Sequence, residues 1–150
     1  MKQPASDIVV LILRVGIGGV LVAAGALKVG HASDFASTIA GFRILPQPLV
    51  GPMAVGLPFF ELALGVYLLI GLYTRVAALI AFIEFVVFGG AIASVVIRGI
   101  PIACGCFGQA DTAPASWLDV ARDAVLAALA ALIAWRAPGM LALDRRMERS

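Results

Sequence analysis

The stretch RGIPIACGCFG, residues 98–108, interrupts an otherwise apolar chain and contains both of its cysteines, Cys104 and Cys106. Of the 150 residues, 62% are hydrophobic and 13% are charged, and the mean hydropathy is +1.05. An average soluble domain is about half apolar and about a quarter charged. The composition therefore predicts a membrane protein that presents a Cys-x-Cys pair at one membrane face.

Four apolar runs predict membrane-spanning helices, because each can cross a hydrocarbon core about 30 Å thick at about 1.5 Å per residue. They cover about residues 8–26, 53–72, 76–97 and 117–135. We therefore expect an all-α, integral membrane four-helix bundle that forms a single domain over residues 1–150. A cleaved signal peptide is the alternative for the first run. Its spanning length and the charge of Arg14 disfavour that alternative.

The polar segment between the first two spans predicts a short helix. Ser33 or Asp34 can cap it, and an apolar stripe follows at i, i+4 and i+7: Phe35, Ile39 and Phe42. Such a helix is expected to lie in the membrane interface. At the fourth span, Ser116 and Asp119 have the spacing of a capping box.

The distribution of Lys and Arg predicts the orientation. Four spans place both termini on one side, with six basic residues: Lys2, Arg75, Arg136, Arg145, Arg146 and Arg149. The other side has three: Lys28, Arg43 and Arg98. The more positive side is usually cytoplasmic. Both termini are therefore predicted to be cytoplasmic, and the cysteine loop lies outside the cell (inner) membrane, where disulfides persist.

Charges within the spans form two predicted layers, because charged groups in a bilayer usually face the bundle interior and pair. Arg14 and Glu84 lie at depths of roughly 9 and 12 Å from the cytoplasmic side, which predicts a structural ion pair. The second layer lies nearer the cysteines: Lys28, Glu61, Asp119, Arg122 and Asp123. Its carboxylates either fix the bundle geometry or relay a proton. His31, the single histidine, is either solvated, a third metal ligand or a proton acceptor.

Two thiols separated by one glycine can close a strained, oxidising disulfide ring. Arg98 and the start of the fourth span lie close in sequence, and a cation or a helix N-terminus lowers a thiol pKa. These features favour redox exchange. A Cu(I) site made by Cys104 and Cys106 is the first alternative; a structural disulfide or two inert cysteines are the others.

The sequence resembles the methylamine-utilisation family MauE and the wider DoxX-like membrane proteins, over roughly Ile8 to Trp135. The element CGCFG, residues 104–108, is followed by Ser116-Trp117 and Arg122-Asp123 as in that family. Further matching segments are Arg14 with Gly18, GALK at 25–28, FRILP at 42–46 and LPFFE at 57–61.

The resemblance implies a four-helix inner-membrane protein that supports maturation of the disulfide-rich small subunit of methylamine dehydrogenase beside a thioredoxin-like partner. It also implies that Cys104 and Cys106 are the redox pair. Glu61, Arg122 and Asp123 match family positions whose roles the resemblance does not give.

Three functional hypotheses follow. The first is a membrane thiol–disulfide oxidoreductase whose cysteine pair exchanges electrons with an extracytoplasmic thioredoxin-like protein. Under that hypothesis the bundle either passes the electrons onward or simply presents the loop. If it passes them onward, a quinone is the expected acceptor, because the only two cysteines of the sequence are already used. The second is a non-enzymatic assembly factor or Cu(I)-handling subunit. The third is a transporter, which would require a homo-oligomer to form a path. A nucleic-acid partner is not expected, because the sequence has no basic stripe with interleaved aromatic residues.

Overall fold

The computed structural model describes residues 4–108, 112–137, 139 and 141–147. Within these residues the chain is helical and has no strand beyond one isolated bridge. The helices are α1 (Pro4–Lys28), α2 (Ala32–Gly41), α3 (Gln47–Ile70), α4 (Thr74–Ile97), α5 (Trp117–Arg136) and α6 (Leu143–Met147). The prediction of an all-α protein is confirmed for the described residues.

Three of these helices, α1, α3 and α4, are long and apolar enough to cross a membrane. Their outward faces carry large apolar side chains such as Ile12, Val55 and Ile83, which are exposed in the isolated chain. Apolar surface of this extent indicates a lipid environment. Helix α5 occupies the position of the fourth predicted span, and its crossing of the membrane stays a prediction.

Prolines set the start of α3, which begins six residues earlier than the predicted second span. Pro46 is its N-cap residue and Pro48 lies in the first turn. Proline is tolerated there because the first backbone N–H groups of a helix have no intrahelical partner. Pro52 and Pro58 lie within the helix. Pro48, Pro52 and Pro58 are therefore part of the helix itself.

The short helix predicted after the first span is present as α2, but its predicted cap is wrong. Its N-cap residue is His31, and no side chain caps the helix. Ser33 and Asp34 lie in the first turn instead, where an acidic side chain still interacts favourably with the helix dipole. The interfacial position of α2 stays a prediction.

Helix α1 packs mainly against α3, and α4 mainly against α5. Helices α3 and α4 are joined by a turn of three residues, but they are not each other's principal packing partners. The spacing of five α1 residues places them on one helical face, and all five are buried: Arg14, Gly18, Leu21, Gly25 and Lys28. Glycine allows the close approach of the two backbones, since a Cβ on Gly25 would lie 2.6 Å from the carbonyl oxygen of Pro58. Small residues at such contacts are typical of membrane helix pairs.

Replacing Gly25 with alanine is expected to destabilise the protein by about 1–3 kcal/mol, because the added methyl group forces α1 and α3 apart. Gly19→Ala is the matched control on the same helix, since a Cβ at Gly19 would meet nothing within 4 Å. The measurement is thermal unfolding of both variants in the same detergent. Equal transition temperatures would show that α1 and α3 do not pack through Gly25.

Candidate functional site

The cysteine loop leaves α4 at Ile97 and returns to α5 at Trp117. Its two sides are joined by the backbone N–H of Ala115, which donates to the carbonyl oxygen of Ile102 at 2.8 Å. Gly105 has φ +69°, and a Cβ there would lie 2.7 Å from Cγ2 of Thr38 on α2. Both the backbone conformation and the space therefore require glycine between the cysteines, and the loop is packed against α2.

The two cysteine sulfurs are not bonded to each other in the structure, and they share one cationic neighbour. Nη2 of Arg122 lies 3.0 Å from Sγ of Cys106 and 3.9 Å from Sγ of Cys104. The backbone N–H of Cys106 also donates to Sγ of Cys104 at 3.3 Å. Cys104 is 6% exposed, whereas Cys106 is half-buried. A positive charge against two thiols favours their ionised, reactive form.

The guanidinium of Arg122 is held in place from several sides. It donates to Oδ1 of Asp123 at 3.0 Å and to Oδ1 of Asp119 at 3.3 Å, and it lies 5.5 Å from the centre of the Phe107 ring. Asp119 is fixed in turn, because its Oδ2 accepts the backbone N–H of Ser116 at 2.9 Å. The predicted capping box is therefore confirmed, and it also orients the cation at the sulfurs.

The two thiols ionise one after the other. The pKa of Cys106 is raised by its hydrogen bond with Cys104, by burial and by the charge on Cys104, while Arg122 acts in the opposite direction. Interacting thiols of this kind titrate as a pair. The first negative charge therefore belongs to the pair, and both sulfurs lie near Arg122.

Arg98 was the cation expected near the thiols, and the structure places it elsewhere. Its guanidinium donates to the carbonyl oxygens of Ser94 and Phe42, so it links the end of α4 to the end of α2. Arg122 lies beside the sulfurs in place of Arg98, although it is 16 residues from Cys106 in sequence. The loop folds back over the first turns of α5, and the separation in sequence did not predict this contact.

Lys28 and Glu61 form a buried ion pair beside the cysteine loop. Nζ of Lys28 lies 2.6 and 2.8 Å from the two carboxylate oxygens, and the side chains are 1% and 2% exposed. The ammonium also lies 5.3 Å from the ring centre of Phe35 and 6.0 Å from that of Phe88. The second predicted layer of charges is thus divided into a Lys28–Glu61 pair and a cluster around Arg122.

The structure does not bring Arg14 and Glu84 together. Both carboxylate oxygens of Glu84 are buried without a hydrogen-bond partner, and this side chain interacts electrostatically with Glu61 and Lys28. Arg14 donates to the carbonyl oxygen of Leu141 at 3.4 Å. Equal depth could not establish the pair, since α1 packs against α3 while α4 packs against α5.

His31 is exposed at the start of α2, with Nδ1 3.9 Å from Oδ2 of Asp34. Within the described ranges, no group of three or more His, Cys, Asp and Glu side chains could hold a metal ion. His31 therefore joins no cluster with the cysteines in this part of the chain.

Residues 6–136 match the family model described as methylamine utilisation protein MauE. The MauE protein of Paracoccus denitrificans is 38% identical over 127 residues, which cover 84% of this chain and 68% of that protein. The MauE protein of Methylorubrum extorquens is 36% identical over 139 residues, covering 92% and 75%. That of Methylophilus methylotrophus is 37% identical over 112 residues, covering 74% and 57%. No solved structure matches the chain significantly.

Proposed function

This chain belongs to the MauE family of methylamine utilisation proteins, and we propose that it is a membrane thiol–disulfide oxidoreductase. Its Cys104–Cys106 pair would exchange electrons with a thioredoxin-like partner outside the cytoplasm and support maturation of an exported, disulfide-containing protein. The observation that carries this proposal is the contact of one guanidinium, that of Arg122, with both sulfurs.

The difference in exposure between the two cysteine residues suggests the order of exchange. A partner thiolate attacks Sγ of Cys106, the accessible sulfur of the oxidised pair, and Cys104 leaves as a thiolate. That leaving group is stabilised by the Cys106 N–H at 3.3 Å and by Arg122. The partner's second thiolate then attacks the partner's own sulfur in the mixed disulfide and releases Cys106 beside Arg122. Two electrons pass to the Cys104–Cys106 pair, and the partner leaves with a disulfide.

Single cysteine variants test this order. The probe is a thioredoxin whose resolving cysteine is replaced by serine and whose remaining cysteine carries a small thiol leaving group. Cys104→Ser is expected to accumulate a disulfide-linked adduct between Cys106 and this thioredoxin. Cys106→Ser is expected to give at least about tenfold less of that adduct, because access controls thiol exchange. The measurement is non-reducing electrophoresis with and without dithiothreitol.

The double variant Cys104→Ser, Cys106→Ser is the control and should form no adduct. If it retains full activity in oxidising or reducing the thioredoxin, the cysteines are not the redox centre and the proposed function is wrong. A larger adduct yield for Cys106→Ser than for Cys104→Ser would reverse the order of attack.

The proposed topology has four spans in one inner-membrane domain, with α5 as the fourth span, α2 in the interface and both termini in the cytoplasm. Helix α5 packs along α4, and its outward residues Leu118, Val125 and Trp135 are apolar and exposed. These observations support a place for α5 beside the other spans.

Labelling of intact cells tests the side on which the cysteine loop lies. A membrane-impermeant maleimide is expected to react with Cys106 only after mild reduction, because the extracytoplasmic pair would be oxidised. Reaction without reductant would indicate external thiols held reduced. Reaction only after lysis would place the loop in the cytoplasm and exclude an extracytoplasmic partner.

The surroundings of the two sulfurs favour thiol exchange over the binding of Cu(I). Two thiolates are soft ligands, but Arg122 places a positive charge 3.0 Å from Sγ of Cys106. A metal cation bound there would be repelled by the guanidinium. Stoichiometric copper in purified protein, lost in the double serine variant, would nevertheless favour the Cu(I) alternative.

A further inference from the structure

A cavity of about 160 Å³ lies between α2, α3, α4 and the cysteine loop. Both Cys104 and Cys106 border it, as do Lys28 and the aromatic side chains of Phe35 and Phe88. The rest of its wall is almost entirely apolar. The sulfurs therefore adjoin an apolar space of about the size of a protein cavity that holds one benzene ring.

The rim of this cavity lies on the outward surface of the helices. Ile44, Met53 and Val87 contribute to its lining and are 51%, 39% and 57% exposed. Met53 and Val87 belong to α3 and α4, which are long and apolar enough to cross a membrane. In a bilayer, a ligand with an apolar tail could enter from the lipid and leave its tail there.

We propose that this cavity binds the ring of a membrane quinone, which takes up the two electrons of the Cys104–Cys106 dithiol. This inference rests on the proposed function. The chain has two cysteines, so once a partner has reduced them it has no second thiol pair to carry the electrons onward. A quinone is a two-electron acceptor that dissolves in lipid, and the rim opens toward lipid.

Lys28 supplies a polar group for one quinone oxygen. An ammonium has three N–H donors, and two hydrogen bonds go to the oxygens of Glu61. The third donor remains for a ligand in the cavity that Lys28 lines. It would stabilise the negative charge that develops on the quinone oxygen during reduction.

The reaction is balanced by these components alone. The Cys104–Cys106 S–S bond forms, and the dithiol loses two electrons and two protons. The quinone receives both electrons and both protons and becomes a quinol. The new disulfide is the form that exchange with the thioredoxin-like partner consumes, so the two reactions alternate.

Quinol formation by the full chain in lipid nanodiscs tests the inference. Reduced protein is mixed without oxygen with a short-tailed ubiquinone analogue, and quinol absorbance and free thiols are followed together. One quinol is expected for each disulfide formed.

Ala91 also lines the cavity, and Ala91→Leu is expected to slow quinol formation about tenfold or more, since extra methylene groups in a fitted pocket have effects of that size. Ala23→Leu, on the exposed surface of α1, is the matched control and should leave the rate unchanged.

Binding is measured separately from chemistry. The Cys104→Ser, Cys106→Ser protein should still bind the analogue, and the addition of Ala91→Leu should weaken that binding about tenfold. No measurable binding, or a retained phospholipid that the analogue cannot displace, would overturn the inference.

Exchange with thioredoxin in the same nanodiscs, without quinone, separates the two proposals. If the wild-type protein exchanges thiols but forms no quinol, the quinone site is wrong and the proposed function stands. If it does neither, both are wrong.

Discussion

Replacing Arg122 with glutamine is expected to slow the attack of the reduced Cys104–Cys106 pair on a disulfide by about 3- to 30-fold at neutral pH. An opposite charge this close lowers a pKa by about 1–3 units, so its loss reduces the thiolate fraction about 10- to 1000-fold. A thiolate of higher pKa is a better nucleophile, with a Brønsted coefficient of about 0.4–0.5, and this offsets roughly half of the loss on a logarithmic scale. The contact of Arg122 with Cys106 at 3.0 Å makes it the residue outside the cysteine pair with the largest expected effect on the exchange rate.

The pH profile separates this electrostatic role from a merely structural one. Arg122 lowers the pKa of Cys106 against the effects of Cys104 and burial, so in Arg122→Gln the rate should rise at higher pH than in the wild type. At a pH above the raised pKa, the variant should equal or exceed the wild-type rate. Stopped-flow reaction of the reduced protein with an oxidised thioredoxin or an aromatic disulfide gives both profiles.

Two further variants serve as controls for Arg122. Arg122→Lys keeps the charge but loses the planar donor geometry, and it should recover most of the pH profile. Arg98→Gln removes a nearby cation that bonds to backbone carbonyls rather than to sulfur, and its profile should match the wild type. A loss in Arg122→Gln that is equal at every pH would show that Arg122 only maintains the loop.

The sequence predicted the elements that depend on local pattern. Long apolar runs predicted α1, α3 and α4, because crossing a bilayer requires length and hydropathy that are visible residue by residue. The glycine-containing face of α1 and the capping box at Ser116 were also predictable, since each depends on spacing within one helix. The two cysteines were proposed as the site from the same kind of local pattern.

Contacts between elements were not predictable from the same information. Depth along a helix placed Arg14 beside Glu84, but it does not specify which neighbour each helix face meets. Proximity in sequence favoured Arg98 as the cation, whereas the backbone path of the loop brings Arg122 to the sulfurs. The cavity beside the cysteines requires three helices and the loop at once, and no periodicity in one element indicates it.

Breaking the Lys28–Glu61 pair is expected to produce the largest loss of stability. Lys28→Met and Glu61→Leu should each destabilise the protein by about 3–5 kcal/mol, because each leaves the other charge buried without its partner. The double variant should be near wild-type stability or above it, since a buried pair replaced by apolar residues of similar volume is often neutral or stabilising. Chemical unfolding in detergent micelles would measure all three variants in one double-mutant cycle.

The exposed pair of His31 and Asp34 provides the control, because its members are 3.9 Å apart and about half exposed. Removing either member should change stability by less than about 1 kcal/mol. High salt should weaken that pair and leave the buried pair nearly unaffected. Single variants of Lys28 and Glu61 with equally small effects would contradict the buried pair.

The double variant also separates stability from chemistry. If Lys28 only neutralises Glu61, the refolded Lys28→Met, Glu61→Leu protein should keep both thiol exchange and quinol formation. If Lys28 also donates to a quinone, exchange should persist while quinol formation falls, because the cavity then has no ammonium. A loss of exchange at restored stability would place the pair in the thiol chemistry itself, since the Lys28 side chain and both sulfurs line the same cavity.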